Sequence, residues 1–243
     1  MKKTLVIAHR GFSGKYPENS RRAFLEAIAV EGCDGIETDL HLSADNEPVI
    51  IHDATLERTS NGRGAVRAAS FKDLRKLDIG SWMDPQFAGE QIMHLDELLE
   101  LCVQHDMLLN IEIKNAQVDY PGVEKIVIDR VVAVKAERLV FFSSFNHIAM
   151  ERCRELNPKI PTGLLYAQPL IRVEEYANGH ALHPHFGLFG MEPDLMERAH
   201  GAGLRVNVWT VDDEGEMRRS LELGADGVIT NFPDRMVGVM ERG

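Results

Sequence analysis

Apolar positions along the chain fall into two periods. Short apolar runs at residues 5–8, 35–42, 108–114, 139–144, 162–166, 181–183, 205–211 and 227–230 have the length of buried strands. Stretches with apolar residues at helical spacing separate them, at 95–105, 123–135, 149–156, 173–176, 194–202 and 214–222. An earlier helical face, carried by Ala23, Ala27, Ile28 and Val30, starts after Asn19 as a candidate N-cap and closes at Gly32. Alternation of strand and helix calls for a parallel sheet, and eight strands in that order can close a (β/α)8 barrel.

One run breaks the alternation. Residues 48–52 return after the turn cluster Ser43-Ala44-Asp45-Asn46-Glu47, a connection too short for a parallel crossover, so a hairpin is expected. Residues 53–94, broken by Gly62, Gly64, Gly80, Pro85 and Gly89, read as an insertion with a short helix over 71–77. An open doubly wound sheet is the competing architecture, and it requires a glycine-rich fingerprint after the first strand. His9-Arg10-Gly11-Phe12-Ser13-Gly14 lacks that GxGxxG order. The expected fold is an α/β TIM barrel, one catalytic domain over residues 1–243 with an insertion at about 53–94. Gly32-Cys33-Asp34-Gly35 and Gly224-Ala225-Asp226-Gly227 follow one pattern, read as a turn solution used twice.

Charge narrows the function. The net charge of −11 argues against nucleic-acid binding and against adsorption to anionic membranes. It does not exclude a small anion held at a local basic site. The apolar run after Met1-Lys2-Lys3 stops at His9-Arg10, too short for a signal peptide, and no stretch approaches the roughly 18 apolar residues of a membrane span. Cys33, Cys102 and Cys153 are odd in number and form no CxxC, which predicts reduced thiols in a cytoplasmic protein.

In a barrel the chemistry sits at the C-terminal ends of the strands. That rule selects His9-Arg10, Glu37-x-Asp39, Glu112-x-Lys114, Trp209 and Asn231. Residues i and i+2 of a strand face one side, so Glu37 and Asp39 point together, and so do Glu112 and Lys114. Crowded carboxylates repel, and a hard divalent cation with oxygen ligands relieves them. A hairpin centred on Ala44-Asp45 would place His52 opposite Glu37. Two histidines beside a metal can supply a base and an acid near neutral pH. Arg10 and Lys114 suit phosphate oxygens or neighbouring carboxylates, and Trp209 suits either the barrel mouth or the core. His183 and His185, near another strand end, read as structural or rim residues. The set points to metal-assisted displacement at phosphorus.

These residues and their order resemble the glycerophosphodiester phosphodiesterase family. The matching stretches are His9-Arg10-Gly11, Pro17-Glu18-Asn19-Ser20, Glu37-Thr38-Asp39-Leu40, His52-Asp53, Arg58-Thr59-Ser60-Asn61-Gly62, Ile111-Glu112-Ile113-Lys114, Trp209-Thr210-Val211 and Asp226-Gly227-Val228-Ile229-Thr230-Asn231-Phe232-Pro233. The resemblance implies hydrolysis of glycerophosphodiesters, such as glycerophosphocholine or glycerophosphoethanolamine, to glycerol 3-phosphate and an alcohol. By motif it implies His9 and His52 as the acid/base pair. It implies Glu37, Asp39 and Glu112 as ligands of one divalent metal, magnesium or calcium. Arg10 and Lys114 fall on its phosphate contacts, and Trp209 on its glycerol pocket. The sequence departs at Ile92-Met93-His94-Leu95, where Pro-Thr often precedes the leucine, and has Ser20 and Ser60 where Thr is common. Two other functions remain: a lysophospholipase D-type activity, with Phe71, Trp82, Met83, Phe87 and Met93 as an apolar lip, and a non-catalytic metal- or phosphate-binding barrel.

Overall fold

A computed structural model describes residues 4–170 and 172–242. Its nine strands are β1 (Leu5–His9), β2 (Gly35–Leu42), β3 (Pro48–Ile50), β4 (Leu108–Ile113), β5 (Val140–Ser144), β6 (Thr162–Tyr166), β7 (Ala181–Pro184), β8 (Asn207–Val208) and β9 (Gly227–Thr230). Eight of them form one parallel sheet in the order β7-β6-β5-β4-β2-β1-β9-β8. Parallel bridges Leu182–Val206 and His185–Trp209 join its two ends, so the sheet closes into the expected barrel. β3 pairs antiparallel with β2 as the hairpin arm, and its Val49 also bridges His94.

The main helices lie between the strands: α1 (Arg21–Ile28), α2 (Phe71–Leu74), α3 (Leu95–His105), α4 (Val123–Ala133), α5 (His147–Leu156), α6 (Val173–Tyr176), α7 (Leu195–Gly201), α8 (Glu214–Glu222) and α9 (Pro233–Arg242). Several ends differ from expectation for local reasons. Ser20, not Asn19, caps α1: its side chain accepts from Ala23 N, while Asn19 sits at φ 57° with its amide turned toward β2. The helix expected to run to Lys135 stops at Ala133, because Lys135 adopts φ 58°. The strand expected over 205–211 is continuous only at Asn207–Val208, since Val206 and Trp209 bridge to the β7 side. α2 is one turn, ending at Leu74 rather than 77.

The repeated Gly-x-Asp-Gly turn is one structure used twice. Gly32 and Gly224 both have positive φ, at 89° and 82°. Asp34 Oδ2 accepts from Val6 N, and Asp226 Oδ2 accepts from Val206 N, each bond 2.9 Å. In both places the aspartate ties the turn to the start of a neighbouring strand.

The segment between β3 and α3 has its own apolar cluster, Val49, Ile51, Leu56, Val66, Leu74, Ile79 and Ile92, beside the main core. It rejoins the barrel through His94, which caps α3: its Nδ1 accepts from Asp96 N, and Glu97 accepts from His94 N. The capping box therefore survives the departure at Ile92-Met93-His94. Inside the barrel, Gly163 of β6 leaves room for the buried His183 of β7; a Cβ there would lie 2.4 Å from His183 Nε2.

Candidate active site

The site grows from two registers among three strands. β1 and β2 place His9 beside Glu37, and β2 and β4 place Asp39 beside Glu112. Glu37, Asp39 and Glu112 are buried, and each offers a carboxylate oxygen within 4.8 Å of the others. Side-chain alternation alone aims Glu37 and Asp39 to one face of β2.

Immediately after β1 the chain takes two left-handed residues, Arg10 at φ 55° and Gly11 at φ 77°. A Cβ on Gly11 would stand 2.7 Å from the Ala23 carbonyl carbon, so glycine is required there. This turn aims the Arg10 N–H at Glu37, 3.0 Å away. Its guanidinium donates to Glu18 at 2.9 Å and lies 3.2 Å from Asp39. Lys114 Nζ lies 2.8 Å from Glu112 and 3.5 Å from Asp39. Both cations are thus held against carboxylates.

Burial raises all three acids, and the neighbours then separate them. Arg10 and Lys114 overcome that burial at Asp39 and hold it far below its ordinary range. Glu112 is pushed up to about 7 by burial, against the opposing pull of Lys114. Glu37 is raised well above its usual value by burial and by Asp39 and Glu112. Among the described residues Asp39 Oδ1 is buried and accepts no hydrogen bond. An oxygen-only cluster with an unmet acceptor is suited to a hard cation.

Each histidine is tied at Nδ1. His9 Nδ1 donates to Asn231 Oδ1 at 2.7 Å, with Nε2 3.8 Å from Glu37. His52 Nδ1 donates to Asp53 at 2.6 Å. Arg58 clamps Asp53 with Nε and Nη2 and bonds Glu18 with both Nη atoms, so His52 is linked through Glu18 to Arg10. Burial lowers both imidazoles, His9 to about 4. A cavity of about 60 Å³ is walled by His9, Arg10, Glu37, His52, Glu112, Lys114 and Trp209. A wider cavity of about 680 Å³ shares His52, Glu112, Lys114, Phe145 and Trp209 with it and extends to Asp53, Thr55 and Gln117.

A profile of the glycerophosphoryl diester phosphodiesterase family matches residues 9–235. The chain belongs to the glycerophosphoryl diester phosphodiesterase family. Like other members it is a phosphodiesterase. It is 39% identical to the glycerophosphodiester phosphodiesterase of Caldanaerobacter subterraneus subsp. tengcongensis, over 99% of each chain. A phosphodiesterase of Oleispira antarctica, solved with the product sn-glycerol-3-phosphate, superimposes at TM-score 0.86 and 31% identity, covering 98% of this chain and 96% of that one. The glycerophosphodiester phosphodiesterase of Agrobacterium tumefaciens superimposes at 0.84 and 26% identity, covering 97% and 100%.

The fold brings together His9, Arg10, Glu37, Asp39, His52, Glu112, Lys114 and Trp209, and Asn231, also singled out from the sequence, joins them through its bond to His9. One geometric expectation fails. The hairpin pairs Leu40 with Ile50 and Leu42 with Pro48, one residue away from the register that puts His52 opposite Glu37. The turn spans Ser43 to Glu47, closed by Ser43 N to Glu47 O, with Asn46 at φ 60°. β3 ends at Ile50, not 52, and His52 enters the cavity from the bend that follows.

Other residues gain clear placements. Asn19 donates to Asp39 Oδ2 at 2.8 Å and accepts from Thr38, which steers a carboxylate of the cluster. Phe145 packs edge-on to Trp209 with ring centroids 5.6 Å apart. His185 also packs edge-on to Trp209, with ring centroids 5.1 Å apart, and His183 O accepts from its indole N–H, so both act as supports of the rim. The family motif around Asn19 was a signal for it; nothing local marks Phe145.

Proposed function

We propose that this phosphodiesterase hydrolyses water-soluble glycerophosphodiesters, such as glycerophosphocholine or glycerophosphoethanolamine, to glycerol 3-phosphate and an alcohol, acting as one catalytic domain. The observation that carries this is the carboxylate cluster flanked in one cavity by two imidazoles whose Nδ1 atoms are both committed. Glu37, Asp39 and Glu112 would hold one divalent cation, magnesium or calcium. When bound, it neutralises phosphate charge and polarises a phosphoryl oxygen.

The side chains do the rest. With Nδ1 tied, Nε2 is the nitrogen of each ring that exchanges a proton at the substrate. One imidazole takes the proton of the attacking oxygen as it bonds to phosphorus, that oxygen being either water, which gives glycerol 3-phosphate directly, or the glycerol hydroxyl, which gives a cyclic phosphate that water then opens with the two roles exchanged. The other gives a proton to the alcohol oxygen as its bond to phosphorus breaks. Arg10 and Lys114 balance the cluster and stabilise charge on the phosphoryl oxygens in the transition state. Trp209, braced by Phe145 and His185, borders the glycerol end.

A lipid lip is not supported by the insertion. Met93 is buried, Phe71 packs on His94, and Phe87 packs on Tyr16. Trp82 and Met83 are 43% and 36% exposed, yet neither lines the two cavities. No helix among the described residues is long and apolar enough to cross a membrane. The buried free thiols of Cys102 and Cys153 support a reducing, cytoplasmic setting.

The test is release of glycerol 3-phosphate from glycerophosphocholine and glycerophosphoethanolamine, beside their acylated analogues. EDTA should abolish it and a divalent cation restore it. His9→Ala and His52→Ala should each lose activity while keeping the wild-type circular dichroism. Near-normal turnover by either variant removes that histidine from the acid/base pair. Tight diester binding without turnover under any divalent metal supports a binding barrel instead.

A further inference from the structure

The chemistry above leaves His41 without a task, although it lies on the face of β2 that carries Glu37 and Asp39. It is buried and both ring nitrogens are engaged. Nε2 lies 3.0 Å from the carbonyl oxygen of His52, and Nδ1 lies 2.8 Å from the Tyr120 hydroxyl. A carbonyl oxygen only accepts, so Nε2 carries the hydrogen and donates.

The bond stands where the backbone stops supplying one. The β2–β3 ladder has its last strand residue at Ile50, and Ile51 N still reaches Asp39 O at 3.1 Å. Beyond that point the chain bends away from β2. The peptide carbonyl of His52 would need another partner to stay fixed, and a side chain of β2 provides it. Tyr120, from the connection between β4 and α4, packs edge-on to His41 with centroids 5.7 Å apart. Arg67 of the insertion lies over the Tyr120 ring at 5.7 Å and donates to Asp119 O. Two separate segments thus converge on His41, and the insertion backs one of them through Tyr120.

We propose that His41 is a positioning residue for His52: its bond to the His52 carbonyl, backed by Tyr120, sets where that imidazole stands relative to the carboxylate cluster. The inference rests on His52 belonging to the acid/base pair. Displacement of a reacting group by about 1 Å costs on the order of 100-fold in rate, so a loss in turnover is expected without loss of substrate binding.

The experiment measures kcat and KM with glycerophosphocholine for His41→Leu, His41→Gln and Tyr120→Phe, alone and combined with His52→Ala. His41→Leu should lower kcat about 10- to 100-fold with KM changed less than about threefold. His41→Gln, whose amide can donate to the carbonyl and accept from Tyr120, should recover most of the loss. Tyr120→Phe, which deletes one hydroxyl, should give a smaller fall and serves as the test if His41→Leu does not fold. In the His52→Ala background none of the three should lower kcat further. Full multiplication of the losses in that background overturns the proposal, as does wild-type turnover by His41→Leu. Retained turnover by His52→Ala alone would overturn the acid/base reading itself, a result that the single His41 variants cannot mimic.

Discussion

Asn231 Oδ1 stands 2.7 Å from His9 Nδ1, while its Nδ2 donates to Asp212 Oδ2 at 2.6 Å. A carboxylate only accepts, so Asp212 decides which end of the amide faces His9. Asp212 also accepts from Asn231 N and from Thr230 Oγ1. The amide oxygen then requires a hydrogen on His9 Nδ1 and leaves the Nε2 lone pair toward the cluster. Asp212→Asn should free the amide to turn and lower kcat about tenfold or more. Asn231→Leu should lower it further. Steady-state kinetics beside thermal unfolding checks both; wild-type kcat in Asn231→Leu would show that the brace has no part in turnover.

His52 has a brace of opposite character. Asp53 is held down to about 2, first by its bonds to Arg58 and also by His52, so it is ionised throughout the working range. An anion at Nδ1 favours the imidazolium, and this partly offsets the burial that lowers His52. Asp53→Asn keeps the shape and removes the charge. The His52 titration should therefore move to lower pH, carrying the acid limb of the kcat profile with it if His52 is the base and the alkaline limb if it is the acid. Ring NMR titration of His52 in both proteins measures this directly. An unchanged or raised His52 titration would contradict the account.

The contrast between these two braces also shows what was legible in the sequence. Alternation along β2 was enough to pair Glu37 with Asp39, and the motif in β4 brought in Glu112. The Asn231–His9 contact spans 222 residues and the Arg58–Glu18 contact spans 40, so no local period reports either one. Asn19 misled because an Asx residue before a helical face has the signature of a cap, while here its amide steers Asp39. The hairpin register slipped by one because Asn46 takes a left-handed conformation inside a five-residue turn. Only the observed ladder distinguishes that turn from a tighter one.

The carboxylate cluster predicts proton release on metal binding. Glu112 sits at about 7 through burial, and Glu37 is raised well above its usual value by burial and its acidic neighbours. Both must be deprotonated to act as ligands. Divalent-metal affinity should accordingly rise with pH from about 6 to 8 and flatten above the titration of these acids. Calorimetry in buffers of different ionisation enthalpy counts the protons released. Affinity independent of pH over that interval, with no proton release, would rule out this linkage. Asp39→Asn should weaken metal binding at every pH, since it removes the ligand that Arg10 and Lys114 keep ionised.

His183 makes the last prediction, on stability. It fills the barrel interior beside Gly163, and its Nε2 lies 3.0 Å from Asn207 Nδ2. Burial, helped by Arg205, lowers its pKa to about 3, whereas an unfolded histidine titrates near 6.5. Between those values the unfolded chain binds a proton that the folded chain refuses. Folding stability is therefore whole above about 6.5 and falls as pH drops toward 3. His9 and His41, both lowered to about 4 chiefly by burial, act in the same direction. His183→Gln should remove one share of the slope, so that its stability falls less than wild type between pH 6.5 and 4.5. Urea unfolding at several pH values reads this out. Gly163→Ala should destabilise at all pH values, because its Cβ would meet the His183 ring whether or not that ring is charged. A slope unchanged by His183→Gln would mean that this ring is not the one refusing the proton.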